Sequence, residues 1–267
     1  MTKVDQRFAE LRAQNRKALV PFVTAGDPDL DTTVEMIRRF DRLDCAVCEV
    51  GIPYSDPIAD GPVIQASYTR ALEKKIHLKE IFRRLAEVAP EVRIPVVTMV
   101  SYAIVFRHGP EQFIQDAVAA GVSGAIIPDL LVEDAAEMVE LCKKYDFALI
   151  QLVTPTTPDE RALSIAETTT GFLYYVSVTG ITGERAELPP ILAQRLSWLK
   201  EHTDLPICVG FGISQPDQVK QVADIADGAI VGSAIVRRLA DPDSHSVADD
   251  VESYVASMLE GFKTAAE

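Results

Sequence analysis

The segment Cys45-Ala-Val-Cys-Glu-Val-Gly-Ile-Pro-Tyr-Ser-Asp-Pro-Ile-Ala-Asp-Gly-Pro62 joins an apolar run to a rigid acidic loop. Residues 45–50 are apolar except for Glu49, which is typical of a strand buried on both faces. A glycine and several prolines follow, and the loop that they form carries Asp56 and Asp60. An ionised carboxylate in a buried strand is unfavourable unless it is paired or used in chemistry. We therefore predict an acid/base site, with a core Glu49 paired to an arginine or a backbone amide as the alternative.

Seven more apolar runs occur along the chain, separated by longer amphipathic stretches. The eight runs are Ala18–Val23, Ala46–Val50, Ile94–Val100, Gly124–Pro128, Phe147–Val153, Phe172–Val178, Pro206–Gly210 and Gly228–Val231. This alternation predicts an α/β fold with a parallel sheet, and eight units allow the sheet to close into a (β/α)8 TIM barrel. An open doubly wound sheet is the alternative. It would favour G-x-G-x-x-G after the first strand, where the chain has Thr24-Ala-Gly-Asp-Pro28.

Helical periodicity also predicts helices beyond the eight units. An extra N-terminal helix is expected over residues 2–15, where it could cap the bottom of the barrel. The second unit carries two helical segments, Val63–Leu72 and Leu78–Ala89, and a separate helix near Val247–Phe262 follows the eighth strand. No low-complexity linker interrupts the chain, so we predict a single barrel domain over residues 1–267.

The charge balance excludes several classes of partner. The 267 residues include 26 basic and 40 acidic side chains, giving a net charge of −14. Nucleic acids and anionic membranes require basic patches, so neither is an expected partner. No apolar run is long enough to span a membrane, and the N-terminus lacks the apolar core of a signal peptide. We expect a cytoplasmic protein.

The cysteines and histidines do not indicate a metal site. Cys45 and Cys48 have C-x-x-C spacing, which could mean redox or zinc chemistry, but they lie within the predicted strand. No second cysteine pair or histidine pair accompanies them. We interpret these two residues, together with Cys142 and Cys208, as small core residues.

The residues at the predicted strand ends limit the types of reaction that the site could catalyse, because barrel active sites lie at the carboxyl ends of the strands. These ends contain no lysine, which argues against a Schiff-base enzyme. They also contain no cluster of histidines and carboxylates, which argues against metal-assisted enolisation. Carboxylates, a tyrosine and many glycines remain. This set suits proton transfer on an uncharged ring or a sugar-like chain.

Glycine-rich turns follow the last three predicted strands: Gly180-Ile-Thr-Gly183, Gly210-Phe-Gly212 and Gly232-Ser-Ala. Such turns, ending at a helix N-terminus, can bind a phosphate through backbone N–H groups. Ordinary tight turns are the alternative. The long polar segment 180–190 is predicted to be a mobile lid. Residues at or near the strand ends could line a flat apolar pocket or simply pack in the core: Phe22, Val100, Tyr102, Ile126, Tyr174 and Phe211.

The segment from Glu49 to Pro62 closely resembles the signature of the tryptophan synthase alpha subunit family. Further matches run the length of the chain: Ile64-Gln-Ala-Ser67, Pro21-Phe-Val-Thr-Ala-Gly-Asp-Pro28, Ile127-Pro-Asp-Leu130, Ser177-Val-Thr-Gly-Ile-Thr-Gly183, Gly210-Phe-Gly-Ile-Ser214 and Gly232-Ser-Ala-Ile235. The resemblance implies a (β/α)8 barrel that splits indole-3-glycerol phosphate into indole and glyceraldehyde 3-phosphate. It implies no cofactor in this chain, since pyridoxal phosphate belongs to the beta subunit that receives the indole.

The resemblance also assigns roles to residues. It implies that Glu49 shuttles protons, that Asp60 accepts the indole N–H and stabilises the cationic intermediate, and that Tyr174 assists catalysis. The implied phosphate-binding residues are Gly183, Gly212, Gly232 and Ser233. The implied residues of the indole pocket or lid are Phe22, Val100, Tyr102, Thr182 and Phe211, and Ile126 is predicted to join them.

The family works as an alpha2beta2 complex, which predicts a partner surface near the mouth of the barrel. The predicted contact residues are Asp56, Pro57, Asp129 and Leu131, although Asp56 could equally be a loop-stabilising turn residue. Other readings remain open: a stand-alone lyase that releases free indole, an alpha subunit retained mainly for allosteric binding, and a phosphosugar isomerase on the same barrel.

Overall fold

The computed structural model describes residues 1–57, 60–176, 190–210, 212–241 and 243–263. Nine strand segments in these residues form one parallel sheet: β1 (Ala18–Thr24), β2 (Cys48–Gly51), β3 (Val96–Met99), β4 (Val122–Ile126), β5 (Ala148–Ile150), β6 (Leu152–Val153), β7 (Leu173–Val176), β8 (Ile207–Gly210) and β9 (Gly228–Val231). The strands are ordered β5-β4-β3-β2-β1-β9-β8-β7-β6.

The sheet closes at the fifth predicted strand, which the structure divides in two. β5 pairs with β4, and β6, which begins directly after Gln151, pairs with β7. One continuous piece of chain thus provides both edges of the sheet, so the edges meet and the sheet forms a barrel. The predicted (β/α)8 barrel is confirmed, with the difference that Gln151 interrupts its fifth strand.

Twelve helices surround the barrel in the described residues: α1 (Lys3–Ala13), α2 (Leu30–Arg42), α3 (Pro62–Glu73), α4 (Leu78–Val88), α5 (Tyr102–His108), α6 (Pro110–Ala119), α7 (Ala136–Lys144), α8 (Asp159–Thr168), α9 (Pro190–His202), α10 (Pro216–Ile225), α11 (Ser233–Leu239) and α12 (Val247–Lys263). The predicted extra helices correspond to α1, to the pair α3 and α4, and to α12. None of the described helices is both long and apolar enough to cross a bilayer.

The third unit contains a helix that the sequence analysis missed, α5. Its N-cap is Ser101, whose hydroxyl accepts a hydrogen bond from the Ala103 N–H at 3.2 Å. Gly109 ends α5 with φ 91°, a left-handed conformation that glycine adopts readily, and Pro110 begins α6. Two short helices therefore connect β3 to β4.

The core has an outer and an inner layer because successive strand residues face opposite sides of the sheet. On β1, Leu19 and Val23 pack outward against the helices, whereas Val20 packs in the barrel interior. Both faces of the sheet are covered, which explains why the strands are continuous apolar runs rather than alternating ones.

Helix α1 closes the end of the barrel where the strands begin. Its buried residues Val4, Phe8 and Leu11 join the interior layer, and the Phe8 ring lies 5.3 Å from that of Phe172. Phe172 directly precedes β7, so the contact is at the amino end of that strand. The opposite end, where the strands finish, is left for the site.

Candidate active site

The carboxyl ends of the strands surround a cavity of about 830 Å³. It brings together predicted members of the catalytic, apolar, phosphate-binding and partner-contact groups: Glu49, Asp60, Tyr174, Phe22, Gly212, Gly232, Ser233 and Leu131. These residues come from segments far apart in the chain, and barrel closure is what makes them neighbours.

Glu49 lies on β2 and is fully buried. Neither of its carboxylate oxygens has a hydrogen-bond partner in the described part of the chain. The alternative of a core carboxylate paired to an arginine or an amide is therefore not seen. Burial raises the pKa of Glu49 to about 8, and the nearby charge of Asp60 adds to the increase. At neutral pH the side chain is mostly protonated and can act as an acid.

Asp60 lies two residues before α3, on the loop that begins after β2. Its N–H donates to the Pro57 carbonyl at 3.1 Å, and the Gln65 side-chain amide donates to the Asp60 carbonyl at 2.8 Å. Burial raises the pKa of Asp60 to about 6, so the carboxylate is mostly ionised at neutral pH. Two carboxyl groups of one cavity thus hold different protonation states, as acid/base catalysis requires.

Phe22 lies beside Glu49, since the two residues are register partners on β1 and β2. Its ring occupies the space beside Gly51, where an added Cβ would come within 2.5 Å of the ring carbon Cζ. Any larger residue at position 51 would displace the ring. Phe22 therefore provides an apolar wall next to the buried carboxyl group.

Tyr174 projects from β7 toward the carboxyl groups. Burial raises the pKa of its phenol well above the usual value, and the charges of Glu49 and Asp60 act in the same direction. Its hydroxyl lies 2.6 Å from the position of a Cβ on Gly210, so only glycine at that position leaves room for it. Tyr174 is therefore a neutral hydroxyl group held at the cavity.

The glycine turns after β8 and β9 also meet at the cavity. Gly212 has φ 60° and open space where a Cβ would project. Gly232 is the N-cap of α11, its carbonyl accepts from the N–H groups of Ile235 and Val236, and Ser233 is the first helical residue. Backbone from two strand ends is thereby exposed to one region, which suits a phosphate group.

Three residues predicted for the apolar pocket do not line this cavity. Val100 follows Met99 and faces outward, because side chains alternate along the strand, and it packs in the outer core. Tyr102 lies on α5 and packs against that same layer. Ile126 faces inward, but it is completely buried within the interior layer. Val100 and Ile126 are therefore core residues, and Val100 also lines a smaller cavity that Asp60 shares, whereas Tyr102 is half-buried.

Several predicted residues lie outside the described part of the chain. These are Thr182, Gly183 and Phe211, together with all but the last residue of the predicted lid at 180–190.

The predicted partner-contact residues lie around the mouth. Leu131 lines the cavity and keeps 52% of its surface exposed. Asp129 accepts hydrogen bonds from the Ser101 hydroxyl at 2.6 Å and the Tyr102 N–H at 2.7 Å, so it also fixes the start of α5. Asp56 and Pro57 line a smaller neighbouring cavity of about 40 Å³, which Asp60 shares. The Asp56 carboxylate accepts from the adjacent Ser55 hydroxyl at 2.6 Å, as a turn residue would.

Part of the cavity wall was not predicted from the sequence: Ile64, Met99, Gln151, Leu152 and Ile230. Met99, Leu152 and Ile230 belong to or pack against the inward layer of their strands. The alternation along each strand could have identified these three once the inward face was known. Ile64 carried no such signal, since it reaches the cavity from α3.

The cysteines are free and buried. Burial raises the pKa of the Cys142 thiol to about 12 and those of the other three beyond the usual range. Such thiols are poor nucleophiles and poor metal ligands. Elsewhere in the described residues, histidine, cysteine and carboxylate side chains form no group of three that could hold a metal ion.

Comparison with known proteins places this geometry in a family. Residues 8–266 match the family model described as tryptophan synthase alpha chain. The tryptophan synthase alpha chain of Rhodopirellula baltica is 53% identical over 100% of this chain and 94% of its own length. That of Caldanaerobacter subterraneus subsp. tengcongensis is 41% identical over 97% of this chain and 99% of its own.

Solved structures agree with the sequence relatives. Tryptophan synthase subunit alpha from Legionella pneumophila superposes with a TM-score of 0.91 and 33% identity, covering 99% of each chain. Family, relatives and fold thus point the same way over nearly the whole length. The chain belongs to the tryptophan synthase alpha chain family.

Proposed function

We propose that this chain is a carbon–carbon lyase that cleaves indole-3-glycerol phosphate into indole and glyceraldehyde 3-phosphate. That cleavage is the known role of the family to which the chain belongs. The observation that carries the proposal is the pairing of a protonated Glu49 with an ionised Asp60 in one cavity. The reaction needs one acid and one anion at the same ring, and the site supplies both.

The chemistry assigns a task to each carboxyl group. Glu49 donates a proton to the ring carbon that bears the glycerol phosphate chain, and the ring nitrogen becomes positively charged. The carbon–carbon bond then breaks, its electron pair returns to the ring, and the hydroxyl proton of the side chain passes to the Glu49 carboxylate. The products are indole and an aldehyde, and Glu49 regains its proton.

Asp60 stabilises the intermediate by accepting a hydrogen bond from the ring N–H while the nitrogen is cationic. A fixed carboxylate in a cavity with little water is worth more than the same charge in solvent. The Asp60 backbone contacts with Pro57 and Gln65 hold the carboxylate close to the start of α3. Removal of this anion should therefore slow the cleavage more than it weakens substrate binding.

The remaining cavity residues bind and orient the substrate. Phe22 and Met99 provide apolar surface for the ring, and Tyr174 supplies a neutral hydroxyl beside the two carboxyl groups. Exposed backbone at Gly212 and at the start of α11 is positioned for the phosphate. These two glycine turns contain no arginine or lysine, so their peptide groups would hold the anion.

A tryptophan synthase alpha chain works with a beta partner, and we propose an alpha2beta2 assembly in which the beta subunit alone carries pyridoxal phosphate. The exposed Leu131 at the edge of the cavity supports this, since a partner would cover it and receive indole there. We also propose one barrel domain over residues 1–267 and a cytoplasmic location. The buried free thiols are consistent with a reducing compartment.

Indole release by the purified chain, with and without a beta subunit, tests the function. We expect measurable release from the chain alone and faster release in the complex. Glu49→Gln should lower kcat by at least about a thousandfold, because the residue then has no proton to transfer. Glu137→Gln is the matched control, since Glu137 is exposed on α7. Release at the parent rate by Glu49→Gln would contradict the assignment.

A further inference from the structure

Tyr68 lies on the second turn of α3 and is 3% exposed. No feature of the sequence marked it as a site residue. It packs in a small apolar cluster with Phe22, Ile64 and Val236 at the carboxyl end of the barrel. Phe22 and Ile64 line the main cavity, so Tyr68 lies directly behind residues that face the substrate.

Because Gly51 has no side chain, the Tyr68 hydroxyl can lie close to β2. It lies 2.8 Å from the position that a Cβ on Gly51 would take. Gly51 and Glu49 are two residues apart on β2 and therefore share one face of the sheet. The Tyr68 hydroxyl therefore lies beside β2 at Gly51, which is the next residue after Glu49 on the same face of the sheet.

Asp60 connects Tyr68 to the substrate site. The small cavity of about 40 Å³ is lined by Tyr68, Asp60 and Met99, among others. Asp60 and Met99 line the main cavity as well, whereas Tyr68 lines only the small one. Asp60 therefore faces substrate on one side and Tyr68 on the other.

The phenol of Tyr68 can act only as a neutral group. Burial raises its pKa well above the usual value, and the charges of Asp60 and Glu49 add to the increase. Within the described residues its hydroxyl makes no hydrogen bond to the protein. Three carboxylates line the small cavity, but those of Asp56 and Asp129 already accept hydrogen bonds. The Asp60 carboxylate accepts none in the described residues, so it is the acceptor best suited to the Tyr68 hydroxyl.

We propose that Tyr68 is a positioning residue that donates a hydrogen bond to the Asp60 carboxylate and holds it toward the ring N–H. The proposal rests on the cleavage reaction proposed above. A hydrogen bond to the charged form favours that form, so Tyr68 also keeps Asp60 ionised over a wider pH range. The other titratable groups around the two cavities are Glu49, Tyr54, Asp56, Asp129, Arg161 and Tyr174.

Tyr68→Phe in the full chain removes the hydroxyl and keeps the ring that packs against Phe22. We expect kcat to fall by about tenfold to a hundredfold with little change in KM, because a donor to a charged group is lost. The acid limb of the pH–rate profile should also move to higher pH. A purely structural role would lower stability without moving that limb. Tyr254→Phe is the control, since Tyr254 is another buried tyrosine and lies on α12.

A titration of the Asp60 carboxyl carbon by NMR tests the same contact without activity. The pKa of Asp60 should be higher in Tyr68→Phe than in the parent chain, and an unchanged value would overturn the proposal. In a double-mutant cycle, Tyr68→Phe should slow an Asp60→Asn chain far less than it slows the parent; equal effects would also overturn it. A parent chain that releases no indole would refute the proposed function, while the titration would still decide the contact.

Discussion

The two ends of the barrel treat a carboxyl group in opposite ways, half-buried Asp5 at the closed end and buried Glu49 at the open end. At the closed end, the Asp5 carboxylate accepts hydrogen bonds from the Thr2 N–H at 2.7 Å, the Thr2 hydroxyl at 2.9 Å and the Gly171 N–H at 2.6 Å. At the open end, Glu49 is fully buried, and its oxygens have no such donors in the described chain. The closed end uses its carboxylate for stability, and the open end leaves one available for chemistry.

The cost of that difference should appear in the pH dependence of stability. The pKa of Glu49 rises from 4.5 to about 8 on folding, so the folded chain holds this proton more tightly than the unfolded chain. Stability is therefore full below about pH 4.5 and falls as the pH rises toward 8. We expect Glu49→Gln, which cannot ionise, to be on the order of 3 kcal/mol more stable than the parent at pH 8.

Urea unfolding of Glu49→Gln and the parent at about pH 5 and pH 8 measures this effect. The gap between the two chains should widen with pH, whereas exposed Glu137→Gln should follow the parent at both values. A difference in the free energy of unfolding that does not change with pH would mean that folding does not raise the pKa of Glu49. The open end would then resemble the closed one.

The second prediction concerns the rate. Cleavage requires ionised Asp60 and protonated Glu49, whose pKa values are raised to about 6 and about 8. We expect a bell-shaped kcat/KM profile that falls by about tenfold per pH unit outside this window. The two limbs belong to the pair, since each charge affects the other. Asp60→Asn should lose the acid limb, and a flat profile through both limbs would contradict the assignment.

The third prediction addresses the closed end. Asp5→Ala removes the capping box of α1 and the hydrogen bond to Gly171, so we expect a loss of about 1–3 kcal/mol in the free energy of unfolding. The pH–rate profile should be unchanged, because α1 lies at the other end of the strands. Exposed Glu10→Ala on the same helix should stay within about 0.5 kcal/mol of the parent. A shift of the profile in Asp5→Ala would show that the two ends are not independent.

The sequence predicted the barrel because its strands carry a strong pattern, and it predicted Glu49 because a carboxylate in an apolar run is conspicuous. It left open what depends on direction. Val100 and Met99 are adjacent, yet only Met99 lines the main cavity, and a run that is apolar throughout does not reveal which face is inward. Tyr68 was missed for a similar reason, since on a helix a buried tyrosine gives the same pattern as any core residue.

The smallest predicted effect asks whether every unpartnered polar group near the open end serves the reaction. Thr98 on β3 is fully buried, and its hydroxyl has no partner in the described residues, but its position between two inward-facing residues turns it toward the helices. We expect Thr98→Val to stabilise the chain by up to about 1 kcal/mol, because it removes a hydroxyl without a hydrogen-bond partner and keeps nearly the same side-chain volume. Indole release should not become slower. Thr24→Val is the matched comparison, since the buried Thr24 hydroxyl bonds that of Ser67 at 2.6 Å and its loss should destabilise.

If Thr98→Val instead lowers kcat, the outer layer near β3 also takes part in positioning the site. If it stabilises and leaves kcat intact, then an unsatisfied group matters for chemistry only where it also faces the cavity. Glu49 meets both conditions and Thr98 meets one. Direction relative to the barrel axis, added to burial, would then separate a catalytic carboxyl group from a packing defect.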